Sequence, residues 1–343
     1  ASLAIHDLGA PSADDQLRFS SAGREIYARA RNELQKIWSE TSYRMARLRD
    51  NPECADEEFA SVGADDDPGL SVKLSFEPAA PAMLADRPRV AILREQGVNG
   101  QSEMAYAFLS AGFEPVDVHM SDVIEGRVRL AQFAGVVACG GFSYGDVLGA
   151  GQGWAKTILF NARARDEFAG FLARQDRFAL GVCNGCQMFA ALQEIVPGAA
   201  NWPMFRRNRS EQFEARWGMV ELLPSKSLFF DGMAGSRLPI AIAHGEGRAE
   251  FARAAQLDAL VAGEQVAARF IDNHGNVATR YPQNPNGSPG GITAICNDDG
   301  RVTILMPHAE RTIAGATGSC WGQRWQQHTP WMQMFHNARR WVS

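Results

Sequence analysis

Apolar positions in the first fifty residues recur at helical steps. Between Ser20 and Leu48, residues Ile26, Ala30, Leu34, Ile37, Trp38, Met45 and Leu48 are spaced three and four apart among arginines and glutamates. That spacing predicts one or two amphipathic helices. Asn51-Pro52 ends the pattern. The segment 54–81 is acidic, with Asp65-Asp66-Asp67-Pro68-Gly69, and its closing run Glu77-Pro78-Ala79-Ala80-Pro81-Ala82 predicts an extended connector. A helical segment and linker over 1–87 is therefore expected to precede a domain over 88–343.

After Pro88 the texture becomes short apolar runs alternating with helical stretches. Strands are predicted over 89–93, 114–119, 135–139 and 178–182, and helices over 101–111, 166–175 and 184–192. This alternation predicts an α/β fold with a mostly parallel sheet flanked by helices. Strand-like runs at 217–223, 240–243, 266–271, 292–297 and 302–306 lie closer together and predict a more antiparallel extension of the sheet. No internal repeat or low-complexity tract interrupts the order.

Composition narrows the classes of function. With 343 residues, 45% hydrophobic and 21% charged, the chain can bury a large core, so general disorder is excluded. Its 34 basic and 39 acidic side chains give a formal charge of -5. No global positive field gathers nucleic acid or anionic lipid, and neither is an expected partner. No run of about 18 apolar residues occurs, and the first ten residues lack the layout of a secretory signal, so a cytoplasmic location is expected. The numbering begins at Ala1, which fits a processed chain or a piece of a longer one. Six cysteines are too sparse for a disulfide scaffold, and the lone Cys183-x-x-Cys186 pair lacks the partners that structural zinc requires, so no metal site is expected.

The most informative stretch is Leu180-Gly181-Val182-Cys183-Asn184-Gly185-Cys186-Gln187-Met188. An apolar strand runs straight into a helix, with a thiol at the junction and glycines two residues to either side. This is the pattern of a nucleophile elbow with a thiol at a helix N-terminus, where the dipole favours thiolate. Cys183 is the candidate nucleophile. A redox pair with Cys186 is weaker, because a thioredoxin-like motif follows the first strand of its fold and this one lies mid-domain. A thiol nucleophile needs a base and the base an orienting group. His308 and Glu310 follow a predicted strand across Pro307, two apart, so extended backbone would project them to one side. His244 with Glu246 is the rival pair, also at a strand end. An oxyanion requires N–H donors. The paired glycines of Gly140-Gly141-Phe142-Ser143-Tyr144-Gly145-Asp146 could turn one into the site, and the N–H of Asn184 could supply the second.

These residues resemble a known family. The Gly181-x-Cys183-x-Gly185-x-Gln187 elbow, the Gly140-Gly141 loop and the late His308-x-Glu310 pair are similar to those of class I (triad) glutamine amidotransferases. More narrowly, the Gly140 to Asp146 run, Arg207-Asn208-x-Ser210 and Ala243-His244-Gly245-Glu246-Gly247-Arg248 resemble the glutaminase part of phosphoribosylformylglycinamidine synthase. The likeness spans about 88–342. Trp38-Ser39-Glu40-Thr41-Ser42-Tyr43 and Leu48-Arg49-Asp50-Asn51-Pro52-Glu53-Cys54-Ala55 resemble the closing segment of the synthetase portion in the large, single-polypeptide form.

The resemblance implies Cys183 as nucleophile, His308 as base and then acid, and Glu310 as orienting carboxylate, with His244 in a supporting role. It implies backbone N–H groups of Gly141 or Phe142 and of Asn184 as the oxyanion hole. Gln187, Asn208 and Ser210 become candidates for holding the amino-acid end of glutamine, or for pinning local loops. The implied partners are glutamine and a synthetase region of the same longer polypeptide. The glutaminase region itself is expected to need no cofactor, and Mg-ATP is implied for the synthetase. A cysteine peptidase or deglycase of similar fold, or a non-catalytic docking domain, are the alternatives. The tail tryptophans Trp321, Trp325, Trp331 and Trp341 are expected to pack at an interface.

Overall fold

The computed structural model describes residues 3–78, 86–325 and 327–342. Its contacts divide the chain into two compact units between Asp67 and Pro68.

In the first unit, β1 (Gln16–Ser21) and β2 (Arg24–Ala30) form an antiparallel hairpin, followed by α1 (Arg31–Arg49) and α2 (Pro52–Ser61). The helix expected from Ser20 therefore starts only at Arg31. Left-handed backbone at Ala22 (φ 50) and Gly23 (φ 77) makes the two-residue turn that a hairpin prefers. Across it, Phe19 faces Tyr27 with the rings 5.9 Å apart. Asn51-Pro52 is a helix start as well as a stop. The Asn51 side chain accepts the Cys54 N–H at 3.1 Å, and Pro52 occupies the first turn, where its missing donor costs nothing. Residues 52–61, read from sequence only as the start of an acidic segment, are thus helical, and Tyr43 stacks on Phe59 at 4.2 Å to join the two helices.

The second unit begins before the boundary expected at 87/88. Lys73 pairs with Arg237 in a β-bridge, and the Ser75 N–H and hydroxyl both bond the Ser236 hydroxyl, at 3.0 and 2.8 Å. Of the expected extended run 77–82, residues 79–82 lie outside the described residues. The unit then proceeds through β3 (Arg89–Arg94), α3 (Gln101–Ser110), β4 (Glu114–His119), α4 (Met120–Ile124), β5 (Gly135–Ala138), α5 (Gln152–Leu159), α6 (Ala162–Leu172), β6 (Phe178–Val182) and α7 (Asn184–Ala191). There follow β7 (Met204–Arg206), β8 (Glu214–Leu222), β9 (Arg237–His244), β10 (Arg248–Glu250), α8 (Ala254–Ala262), β11 (Val266–Ile271), β12 (Ile292–Cys296), β13 (Val302–Leu305) and α9 (Met332–Trp341).

Among the described residues, nine strands form one sheet in the order β4-β3-β5-β6-β13-β12-β11-β8-β9. The first five are mutually parallel, and β13 onward pair antiparallel, as the alternation and the crowded later runs predict. The central strands β5, β6 and β13 are buried along their whole length, the mark of parallel strands covered on both faces. Their carboxyl ends lie side by side and deliver Cys139, Cys183 and the segment from Met306 to one edge. Among the described residues no helix is long and apolar enough to cross a membrane.

The tail tryptophans divide. Trp321 and Trp331 fill the core of their own domain, Trp321 edge-on to Trp217 at 6.0 Å, while Trp325 is half-buried and Trp341 exposed. The Trp331 indole N–H donates to the Pro239 carbonyl at 2.8 Å, fastening the tail to β9. Trp331→Ala should therefore cost about 3–5 kcal/mol in denaturant unfolding of the full chain. A loss below about 1 kcal/mol would show that the tail packs independently of the sheet.

Candidate active site

Cys183 sits between β6 and α7 with φ 52 and ψ -108, a conformation that costs a non-glycine residue about 1–3 kcal/mol. The surroundings over-determine it. Its N–H bonds the Leu305 carbonyl of β13 at 2.9 Å, and the Gly185 N–H bonds Cys139 at 3.1 Å. A Cβ on Gly185 would overlap the Ala138 carbonyl, and one on Gly181 would lie 2.7 Å from the Gly185 oxygen. Only glycine lets the turn close this tightly. The neighbouring Cys186 is fully enclosed, and burial pushes its thiol well above the ordinary range. It remains an unreactive packing thiol, and both cysteines are free.

His308 reaches the same point from β13. Its N–H bonds Ala241 of β9 at 2.8 Å, and its Nδ1 lies 2.6 Å from Glu310 Oε1, both side chains being about 98–99% buried. Gly140 shows how close the groups are. A Cβ there would sit 2.6 Å from His308 Cε1 and 3.3 Å from Cys183 Cβ, so the glycine leaves room for imidazole and thiol together. Among the described residues His308 Nε2 has no hydrogen-bond partner within normal limits. Burial opposes the imidazolium, but the charges of Glu310 and then Cys183 outweigh it and raise its pKa to about 10.

His244 is the opposite case. Burial first, and then the nearby His308, push it down to about 3, so it stays neutral. Its Nε2 meets the Asn286 amide at 3.2 Å and its carbonyl accepts from Asn208 at 2.7 Å. A base that cannot hold a proton is unsuited to return one to a leaving group.

The expected oxyanion donors separate on geometry. The Phe142 N–H is committed to the Gly97 carbonyl at 2.9 Å, because residues 97–99 and 140–142 pair as a short β-bridge. Phe142 is therefore not an available donor. Gly141, at φ 154, and Asn184, first residue of α7, have N–H groups without a partner among the described residues.

Gln187, Asn208 and Ser210 all lie near the elbow loops, but their polar atoms serve local contacts. Gln187 donates to the Glu246 carbonyl at 2.7 Å and accepts from Asn184 at 2.9 Å. Asn208 donates to Gln212 and His244 and accepts the Gly247 N–H at 2.8 Å. Ser210 is 98% buried and accepts the Gln212 N–H at 3.4 Å. Their geometry matches loop pinning better than direct glutamine contact. Two groups were not singled out from sequence: the Ala243 carbonyl, 3.6 Å from Cys183 Sγ, and Asp146, whose carboxylate accepts from the Asn184 side chain at 3.0 Å. Asp146 had a signal, since it ends the Gly140 to Asp146 run.

Residues 87–342 match the family model of the CobB/CobQ-like glutamine amidotransferase domain. The chain belongs to this family. Among solved structures it is similar to PurLQS from Thermotoga maritima, at 23% identity and a TM-score of 0.56, covering 75% of this chain and 100% of that one. It is also similar to a glutamine amidotransferase from Thermotoga maritima (17% identity, TM-score 0.41, 69% of this chain and 81% of that one). A third is a glutamine amidotransferase from Methylobacillus flagellatus (13%, 0.40, 75% and 94%).

The electrostatics of this amidotransferase give a signed pH dependence. His308 has a folded pKa of about 10 against 6.5 for the free side chain, so the folded state binds its proton more tightly. That stabilisation is complete below about 6.5 and is lost as pH rises towards about 10. Denaturation across this interval should show the parent losing stability, with a flatter dependence in Glu310→Gln, where the main source of the shift is gone. Equal slopes in the two proteins would contradict the assignment.

Proposed function

We propose that this amidotransferase hydrolyses glutamine by covalent catalysis and supplies the ammonia to a synthetase. The observation that carries the reading is the convergence of the strained Cys183 with the buried His308–Glu310 pair around Gly140. Glu310 holds His308 ready to keep a proton taken from the Cys183 thiol. The thiolate attacks the side-chain amide carbon of glutamine, forming a C–S bond and moving the carbonyl electron pair onto oxygen. That oxyanion is held by the N–H groups of Gly141 and Asn184. His308 passes its proton to the amide nitrogen as the C–N bond breaks, and ammonia leaves. Neutral His308 then takes a proton from water, whose attack on the γ-glutamyl thioester releases glutamate and restores the thiol. Glu310 keeps the imidazole oriented throughout.

The ammonia would be used by an ATP-dependent synthetase that converts formylglycinamide ribonucleotide to formylglycinamidine ribonucleotide, in purine biosynthesis. Support for this step is the set of separate motifs resembling that enzyme, in chain order, with the similarity to PurLQS in agreement. Residues 1–87 are read as the closing segment of that synthetase, which would hold Mg²⁺ and ATP. Among the described residues no group of three His, Cys, Asp or Glu is placed to hold a metal ion, and no step above passes through one.

Cys183→Ala should lower glutamate release by at least about a thousandfold. Joined to the synthetase, the same variant should still form the amidine from added ammonia. A glutaminase rate near that of the parent would overturn Cys183 as nucleophile.

A further inference from the structure

The Gly141 N–H shares one planar, trans peptide unit with the Gly140 carbonyl, so the two groups point in opposite directions. That carbonyl is held twice, by the N–H groups of Asn99 at 3.1 Å and Gly100 at 3.0 Å. On the other side of Gly141, the Phe142 N–H is bonded to the Gly97 carbonyl at 2.9 Å. Val98 and Gly141 therefore face each other as the non-hydrogen-bonded pair of a small antiparallel ladder, in which each turns its own N–H away from the opposite segment. Residues 97–100 thus fix the direction of this oxyanion donor. A Cβ at Gly97 would overlap the Phe142 carbonyl, and one at Gly100 would lie 3.3 Å from the Gly140 nitrogen, so the two segments meet backbone to backbone.

A buried carboxylate that no catalytic step uses joins the two segments. Glu95 directly follows β3 and is only 7% exposed. Its Oε1 accepts the Gln96 N–H at 2.8 Å and its backbone carbonyl accepts the Val98 N–H at 2.9 Å, which closes the turn leading into 97–100. From the facing loop, the Tyr144 N–H bonds the Gln96 carbonyl at 2.9 Å, and the Tyr144 hydroxyl bonds the Glu95 carboxylate. Burial raises the pKa of that hydroxyl, and the bond to Glu95 adds to the rise against the opposing bond from Thr157, so it stays a donor. Tyr144 has left-handed backbone (φ 54) and lays its ring on α5, where a Cβ at Gly153 would come within 2.9 Å of it. The Thr157 hydroxyl of α5 donates to the Tyr144 hydroxyl at 3.2 Å. His119 Nε2, at the end of β4, lies 3.6 Å from the same carboxylate. Glu95 is thus the point where β3, β4 and the oxyanion loop meet.

We infer that Glu95 is a positioning residue for the oxyanion hole: tied to the Gln96 N–H and to Tyr144, it holds residues 96–100 in the register that aims the Gly141 N–H at the developing negative charge. This rests on Cys183 being the glutaminase nucleophile and on Gly141 being a donor. Without the carboxylate the turn is released and the peptide between Gly140 and Gly141 is free to rotate, while Cys183 keeps its bond to Leu305 of β13. The loss therefore falls on stabilisation of the oxyanion and not on the thiol.

Two reagents separate these effects in the full chain. Glutaric semialdehyde is the aldehyde counterpart of glutamine without its α-amino group, so it cannot cyclise. The Cys183 sulfur adds to its carbonyl carbon and the carbonyl electron pair moves onto oxygen, as in the tetrahedral intermediate. Iodoacetamide alkylates the same sulfur by loss of iodide and places no charge on oxygen. Glu95→Ala should weaken aldehyde binding at least about tenfold and lower kcat for glutamate release by a similar factor, with KM and the iodoacetamide rate changed less than about twofold. Glu95→Gln, whose amide oxygen still accepts the Gln96 N–H, should recover to within about threefold of the parent. Tyr144→Phe removes only the hydroxyl and should show the same selective loss at about threefold or more, which decides the matter if Glu95→Ala does not fold. The inference is overturned if Glu95→Ala, or Tyr144→Phe in its place, binds the aldehyde as the parent does. It is equally overturned if iodoacetamide labelling falls in parallel, which would mark a structural role, or if Glu95→Gln is as impaired as Glu95→Ala. A parent that binds no aldehyde at Cys183 would remove the covalent reading itself, and this inference with it.

Discussion

The hydrogen bond from the Cys183 N–H to the Leu305 carbonyl is the contact on which the site depends. It exists because β6 and β13 run parallel with Val182 opposite Leu305, although more than a hundred residues separate them in sequence. At that register the last rung of the ladder lands on the elbow residue and fixes its left-handed backbone. Three residues beyond Leu305, the segment that follows β13 delivers His308. The strain stored at Cys183 and the placement of its base are therefore set by one strand pairing, and a one-residue slip would turn the thiol to the other face of the sheet.

Around that rung, small residues and saturated amides do different work. Gly140, Gly181 and Gly185 leave out the Cβ atoms that would separate thiol, imidazole and backbone. Asn184, Gln187 and Asn208 tie the oxyanion loop, α7 and the 243–247 loop into one wall. The two histidines show what burial does with and without a carboxylate bonded to the ring. Glu310 and Cys183 hold the proton on His308, while His244, without a carboxylate partner, is held neutral.

Much of this was legible in the sequence because it is local. The elbow is written in contiguous residues, the His308-x-Glu310 pair in a two-residue spacing, and the sheet in alternating apolar runs. Less legible were features decided by partners far along the chain. The hairpin of β1 and β2 was hidden because Ile26 and Ala30 also fit a helical step, and only the Ala22-Gly23 turn breaks the ambiguity. Asn51-Pro52 read as a terminator, although the same pair caps the next helix. The loss of Phe142 as a donor depends on Gly97, some forty-five residues away. Gln187 and Asn208 have the residue types of a substrate site, and no pattern reveals that backbone carbonyls from another loop have already claimed them.

The central claim is that the elbow thiol forms a covalent bond to the substrate's γ-carbonyl. Mixing the full chain with glutamine, quenching in acid and weighing the peptide that contains Cys183 tests it most directly. A fraction of that peptide should gain the mass of a γ-glutamyl group, and the gain should vanish in Cys183→Ser. Glutamate formation with no adduct on Cys183 at any quench time, or an adduct on another residue, would contradict the account.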